Sequence, residues 1–307
     1  MENKFANMEV KEIIKKTRHK AELPLKYIAI AITIVSMFVI GVSADLIKGD
    51  PTLKSEFMEE LGDTDQKTSA LVSAFIDFGM GCGILVLIFF AFTILFQYYK
   101  LYAQIMSYSI KVTATNFPEI YAKAQEYTEK LGLKKVPEIY IQQHNGQINA
   151  FATYVVGKRY VQLNAEIVDV AYMENKDFDT LFFVMAHEFG HIYFHHVTWL
   201  YNLSTFIGRI IPIYGKTLTR AQEFSADRVA QALTDNVNSE KCMALLSGGR
   251  HLYKYIDIND YSESAESNHN FVEKLGRFII NLLADHPITP FRVKAIMDPD
   301  RKSGRLI

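Results

Sequence analysis

His187, Glu188 and His191 stand in the order His-Glu-x-x-His within the stretch 185–196, MAHEFGHIYFHH. Residues four apart on an α-helix share a face, one turn from each other. Both imidazoles can therefore reach one metal ion while Glu188 stands beside it as a base. Two neutral imidazoles, a carboxylate and an open coordination position are the working parts of zinc-dependent peptide hydrolysis. The run from Phe178 to Tyr193 is apolar at helical spacing, which predicts the buried helix that the motif requires.

A catalytic zinc takes a third protein ligand. His195 lies on the same helical face, but two turns beyond His187, about 12 Å along the axis. Three such side chains cannot converge on an ion bound at about 2.0–2.1 Å. A histidine just after the helix, in the pattern His-Glu-x-x-His-x-x-Gly-x-x-His, is excluded because those positions are Phe194 and Val197. The remaining source is a second helix. Ala221–Leu233 has helical periodicity and carries Glu223 and Asp227 at i and i+4. Such a pair more often marks a solvated face, but Ala226, Val229 and Ala230 make this one partly apolar. Glu223 is expected to ligate, with Asp227 bonded to the far nitrogen of a ligand histidine. His195 and His196 are expected to pack, or to support the ligands from behind.

His187-Glu188-Phe189-Gly190-His191 followed by Glu223-Phe224-Ser225-Ala226-Asp227 resembles the HtpX-like and CAAX-prenyl-protease-type membrane metallopeptidases, a branch of the gluzincins. Asn149-Ala150-Phe151-Ala152 is similar to the strand before the metal helix in that family, and Asp285-His286-Pro287 through Arg292 to its closing His-Pro…Arg motif. The likeness runs from about Phe117 to Met297. It implies a zincin-like domain holding one Zn2+ per chain on His187, His191 and Glu223, with Glu188 as general base. It further implies that His286 and Arg292 contact the oxyanion or substrate, and that an extended polypeptide adds to the 149–152 strand by backbone hydrogen bonds.

Composition sets the surroundings. The 307 residues carry a formal net charge of -1, which gives no sign of a nucleic-acid partner. Cys82 and Cys242 are the only two cysteines, too few for a disulfide framework, which points to a reducing compartment. Residues 1–26 are polar and basic and are expected to form a solvated flank. Tyr27–Ala44 is free of charge and, with Leu25 and Leu46, reaches the ~20 residues that span a bilayer. It begins late and runs long for a signal core, so a retained membrane helix is expected. An acidic loop over 47–69 leads to a second uncharged run, Phe78–Phe96, in which Gly79 and Gly83 offer a close-packing pair. Basic residues flank the outer ends of the two runs, so both chain ends are expected on the cytoplasmic side of the cell's inner membrane. The expected division is 1–26, two transmembrane helices in 27–99, and a metallopeptidase domain in 100–307.

Within that last part a mixed helical linker leads to a helix over Pro118–Leu131. Short β-rich runs follow at Val136–Gln142, Ile148–Val156 and Arg159–Asn164, with turns at His144-Asn145-Gly146 and Gly157-Lys158, which predict a small antiparallel sheet. The apolar stretch 197–214 cannot cross a membrane once, because His191 and Glu223 must meet; it is too short to cross twice. A loop or in-plane helix is expected there. Helices near Glu240–Tyr255, Phe271–Ala284 and Thr289–Met297 complete an α+β, predominantly helical chain, with a mobile loop over Asp257–Asn270. The expected activity is hydrolysis of membrane-protein substrates beside the lipid bilayer. The alternative is a catalytically silent zinc protein that binds clients, against which the intact Glu188 stands.

Overall fold

The computed structural model describes residues 8–61, 65–79, 81–143, 146, 148–155, 157–174, 176, 178–235, 239–264, 270–298, 300–301 and 303–306. Helices α1 (Val10–Thr17) and α2 (Glu22–Gly49) open the chain, and α3 (Pro51–Glu60) and α4 (Gln66–Asp77) lead into α5 (Gly81–Tyr108). Strand β1 (Ile110–Lys111), helix α6 (Pro118–Leu131), and strands β2 (Glu138–Gln142), β3 (Ala150–Val155) and β4 (Lys158–Asn164) follow. A short α7 (Ala165–Asp169) and a π-helical turn lead to α8 (Phe178–Tyr193), the helix of the His-Glu-x-x-His motif. Then come α9 (Trp199–Ser204), α10 (Phe206–Ile210), α11 (Pro212–Leu233), α12 (Ser239–Leu252), α13 (Ile258–Glu263), α14 (Phe271–Leu283) and α15 (Thr289–Met297).

The four strands form one sheet in the order β1-β2-β4-β3. It is mixed and not antiparallel as expected: β3 and β4 form an antiparallel hairpin, but β4 inserts beside β2 and runs parallel to it. Alternation along a strand reports which face is buried, not which neighbour it takes. β3 is thereby left at the sheet edge. The predicted turn at His144-Asn145 lies outside the described residues; Gly157, with φ 81°, makes the left-handed turn of the hairpin.

Helix α8 sits between this sheet and α11, burying Leu181, Phe183, Met185, Phe189 and Ile192. Its approach to α11 is closest at Gly190, where an added Cβ would lie 3.0 Å from Ala226 Cα and 3.1 Å from Val229 Cβ. A side chain there would crowd α11, and the two helices meet backbone to backbone. The interhelical contact is what brings residues 187–191 against 223–227.

The amino-terminal flank differs from expectation. It is not solvated: Val10, Ile13 and Ile14 follow helical i, i+3, i+4 spacing, and α1 packs this stripe against α6 and α11, with Ile13 and Ile14 buried. His19 and Glu22 are buried as well. The acidic segment is not a plain loop but contains α3 and α4, the former capped by the Asp50 side chain on Thr52 and Leu53 N–H.

Helix α2 and residues 83–108 of α5 are long and apolar enough to cross a membrane, with mean hydropathy 2.3 and 2.0. They pack together at Gly83, where a Cβ would meet Met37 O at 2.7 Å. Gly79 does not share that helical face, because it lies before α5 with φ 55°. The stretch 197–214 folds as α9, α10 and the first turn of α11, packed against α2 and α5, with Gly208 on Ala29 and Phe206 on Phe90. Helix α14 is inverted relative to a water-facing helix. Its buried residue is Asn281, bonded to Leu306 O, whereas Phe271, Val272, Phe278, Ile280 and Leu283 are exposed. The expected loop over 257–270 contains α13; residues 265–269 lie outside the described residues.

Candidate metal centre

The i, i+4 spacing on α8 and the contact at Gly190 bring His187, His191 and Glu223 to one point. His187 Nε2 lies 3.2 Å from His191 Nε2, and Glu223 reaches them with Oε2 and Oε1, each at 3.3 Å. These atoms form a group able to hold a metal ion. A tetrahedral site with bonds of about 2.0–2.1 Å has edges of about 3.3–3.4 Å between ligand atoms. The edge between the two imidazole nitrogens and the distance from each of them to one Glu223 oxygen match that spacing, and the donor set of two imidazoles and a carboxylate suits zinc.

Each ligand ring is held from behind. His187 Nδ1 lies 2.9 Å from Asp227 Oδ1. Asp227 in turn accepts from Arg292, with Nε to Oδ2 at 2.9 Å and the second guanidinium arm to Oδ1 at 2.6 Å. Asp227, expected behind a ligand histidine, therefore lies there. Arg292, expected at the oxyanion or substrate, lines the cleft and is also paired with Asp227. A bidentate guanidinium is the geometry that best holds a buried carboxylate ionised.

The electrostatics follow from these contacts. Burial works to raise the Asp227 pKa, but the Arg292 charge and the bond to His187 outweigh it and bring it down to about 2. Burial works to lower His187, yet Asp227 and Glu223 push it up to about 10. Glu223 falls well below the usual carboxylate range despite burial, held there by the two histidines. The field at the meeting point thus favours positive charge. With Nδ1–H of His187 given to Asp227, its Nε2 stands beside a carboxylate, and a positive group fits there, either a proton on Nε2 or a metal ion in its place.

Behind His191 the chain makes a tight helix ending. His195 takes left-handed φ 62°, His195 N–H bonds Ile192 O at 3.2 Å, and His196 N–H bonds His191 O at 3.0 Å. This is a Schellman-type cap with histidine in place of the usual glycine. It folds the His196 ring back onto His191, Nδ1 to Nδ1 at 3.0 Å, while His195 itself points to solvent. His196 Nε2 lies 2.9 Å from Glu22 Oε1, and Arg18 pairs with both Glu22 oxygens. Burial keeps the His196 pKa down at about 4. The sequence reading missed Arg18 and Glu22. Their i, i+4 spacing was visible, but nothing linked them to a motif some 170 positions away.

A cleft of about 320 Å³ opens over these atoms, lined among others by Glu188, His286 and Asn149–Ala152. Glu188 is buried at its wall. His286 Nδ1 lies 2.9 Å from Glu223 Oε2, and that carboxylate raises the His286 pKa. Asn149 immediately precedes the edge strand β3 and Ala150–Ala152 begin it, so the start of that strand and the ligand cluster line one cavity.

No curated protein and no solved structure matches the chain. Residues 114–211, from just before α6 to the end of α10, match the family model of peptidase family M48; the matched part includes His187–His191 and stops short of Glu223. The match fits a zincin-like fold and supports a metallopeptidase of that family.

Proposed function

We propose that this chain is a membrane-anchored, zinc-dependent endopeptidase acting on membrane or membrane-associated proteins, with an HtpX-like role in removing faulty ones. The observation that carries the reading is the convergence of His187, His191 and Glu223, whose ligand atoms lie within 4.8 Å of one another, with Glu188 in the wall of the same cleft. His187, His191 and Glu223 would hold one Zn2+. When bound, zinc supplies Lewis acidity, lowering the pKa of water and polarising the scissile carbonyl. Glu188 takes the proton of the attacking water and passes it to the leaving amine. His286, in the same cleft and beside Glu223, would steady negative charge developing on the carbonyl oxygen by donating a ring N–H. The free edge of β3 binds the substrate backbone as an added strand, which orients the peptide bond without demanding a particular side chain.

Anchoring rests on α2 and α5, whose exposed residues include Ile34, Phe38, Phe89 and Phe92, and on the outward apolar face of α14. At 13 residues, α14 is too short to span a bilayer and suits a position in the membrane surface. The basic residues before α2 favour a cytoplasmic metal domain by the positive-inside rule.

The test compares purified wild type with Glu188→Gln for zinc per chain and for cleavage of an unfolded polypeptide. The expected result is equal zinc and a rate lower by about 10²–10⁴-fold in the variant. Equal cleavage rejects Glu188 as the base, and zinc-free wild type rejects the site. Zinc without cleavage by the wild type leaves the client-binding alternative.

A further inference from the structure

We propose that Glu22, at the foot of the apolar helix α2, is a positioning residue for the metal centre, acting through His196 to fix the orientation and tautomer of His191. The inference rests on the metal-site reading above and adds a second, separate support to it.

The argument follows the protons. Glu22 is 1% exposed, and Arg18 donates to both of its oxygens, Nε to Oε2 at 3.0 Å. So held, it is a carboxylate and can only accept. The contact between His196 Nε2 and Glu22 Oε1 at 2.9 Å must then carry its hydrogen on Nε2. With Nε2 so occupied, Nδ1 is the His196 nitrogen left to accept, and two Nδ1 atoms facing each other need one acceptor between them. The 3.0 Å contact between the two Nδ1 atoms is consequently donated by His191. That leaves the His191 Nε2 lone pair facing His187 and Glu223, which is the tautomer a ligand needs. His187 reaches the same state by one step, through Asp227; His191 reaches it by two, through His196 to Glu22.

The packing supports a dedicated arrangement. The Schellman-type turn brings the His196 ring beneath His191 at the cost of a left-handed histidine, on the order of 1–2 kcal/mol. His196 is wedged between Phe194, stacked at 5.5 Å, and Tyr201 at 5.9 Å, so its ring cannot turn away. Arg18 lies over the other aromatic in this stack, 4.2 Å from the Phe194 centroid. The next residues are tied to the same domain: His19 N–H donates to Ser225 Oγ, and the His19 ring contacts Gly304 O. The start of α2 is thus fastened to the back of the metal centre, and a shift of that helix would be felt at His191.

The test uses the full chain in detergent and measures Zn2+ affinity by chelator competition, plus the visible spectrum of the Co2+-substituted protein. Glu22→Leu and His196→Leu are expected to weaken zinc binding by about 10–100-fold, the usual effect of removing an outer partner of a ligand histidine. Together they are expected to do little more than the worse single change, because they act along one path. Both should shift the Co2+ bands, which a loss of general stability would not do. Should the leucine variants not fold, the double change Arg18→Met with Glu22→Met removes the acceptor without leaving its partly buried cation unpaired, and is read in the same way. Unchanged affinity and spectrum in whichever variants fold overturn the proposal. Failure of the wild type to bind zinc overturns the metal-site reading instead.

Discussion

Gly190→Ala puts one methyl group where α8 and α11 touch. The new carbon would lie 3.0 Å from Ala226 Cα, 3.1 Å from Val229 Cβ and 3.3 Å from Ala226 Cβ. Carbon atoms settle at about 3.5–4.0 Å, so the neighbouring helix must give by a few tenths of an ångström. Overpacking of this kind costs about 1–3 kcal/mol. The same movement carries Glu223, one turn before Ala226, away from both imidazoles, stretching edges that now measure 3.3 Å. A site closing at about 2.0–2.1 Å does not tolerate that, and zinc affinity should fall by at least about tenfold. Thermal unfolding in detergent should drop by roughly 2–12 °C, at about 2–4 °C per kcal/mol for a chain of this size. Gly276→Ala is the control: nothing lies within 4 Å of that Cβ in the middle of α14, so the change should stabilise if anything. Equal zinc affinity and melting temperature in Gly190→Ala and wild type would refute the claim that the two helices meet there.

Other outcomes follow from the same contacts. His195→Gly relieves a left-handed histidine and should stabilise the protein by about 1 kcal/mol with zinc content unchanged; loss of zinc would show that His195 does more than end the helix. Arg292→Ala leaves Asp227 buried without its cation and should cost about 3–5 kcal/mol, read as a lower denaturation midpoint. Asp227 is held down to about 2, below an unfolded value of about 4. A depressed carboxylate stabilises above its unfolded pKa, so on the order of 2 kcal/mol is present above pH ~4 and lost as pH falls toward ~2. With chelator present, Asp227→Asn should flatten wild-type stability across that window, and an unchanged slope would contradict the assignment.

The parts of the centre legible in the sequence are those encoded by helical spacing. His187, Glu188 and His191 share one turn, Glu223 and Asp227 another, and each helix could be read from its own apolar stripe. That both helices meet at Gly190 was written only as a glycine. What stayed hidden depends on contacts between distant segments. Glu22 reaches His196 across 174 positions, and Arg292 reaches Asp227 across 65. Neither pairing leaves a local pattern, and Arg292 was accordingly expected at the substrate. The basic flank misled because its charge count overshadowed Val10, Ile13 and Ile14, the three residues that fix it to α6 and α11. The sheet misled for a different reason, since strand alternation is silent about whether β4 lies beside β2 or beyond β3.

The contact between the His19 ring and Gly304 O joins segments 285 positions apart behind the candidate metal centre. Arg18 and Glu22 come before the histidine pair in the sequence, and His286 and Arg292 after it. The candidate centre is therefore complete only when segments on both sides of the histidine pair have folded against it.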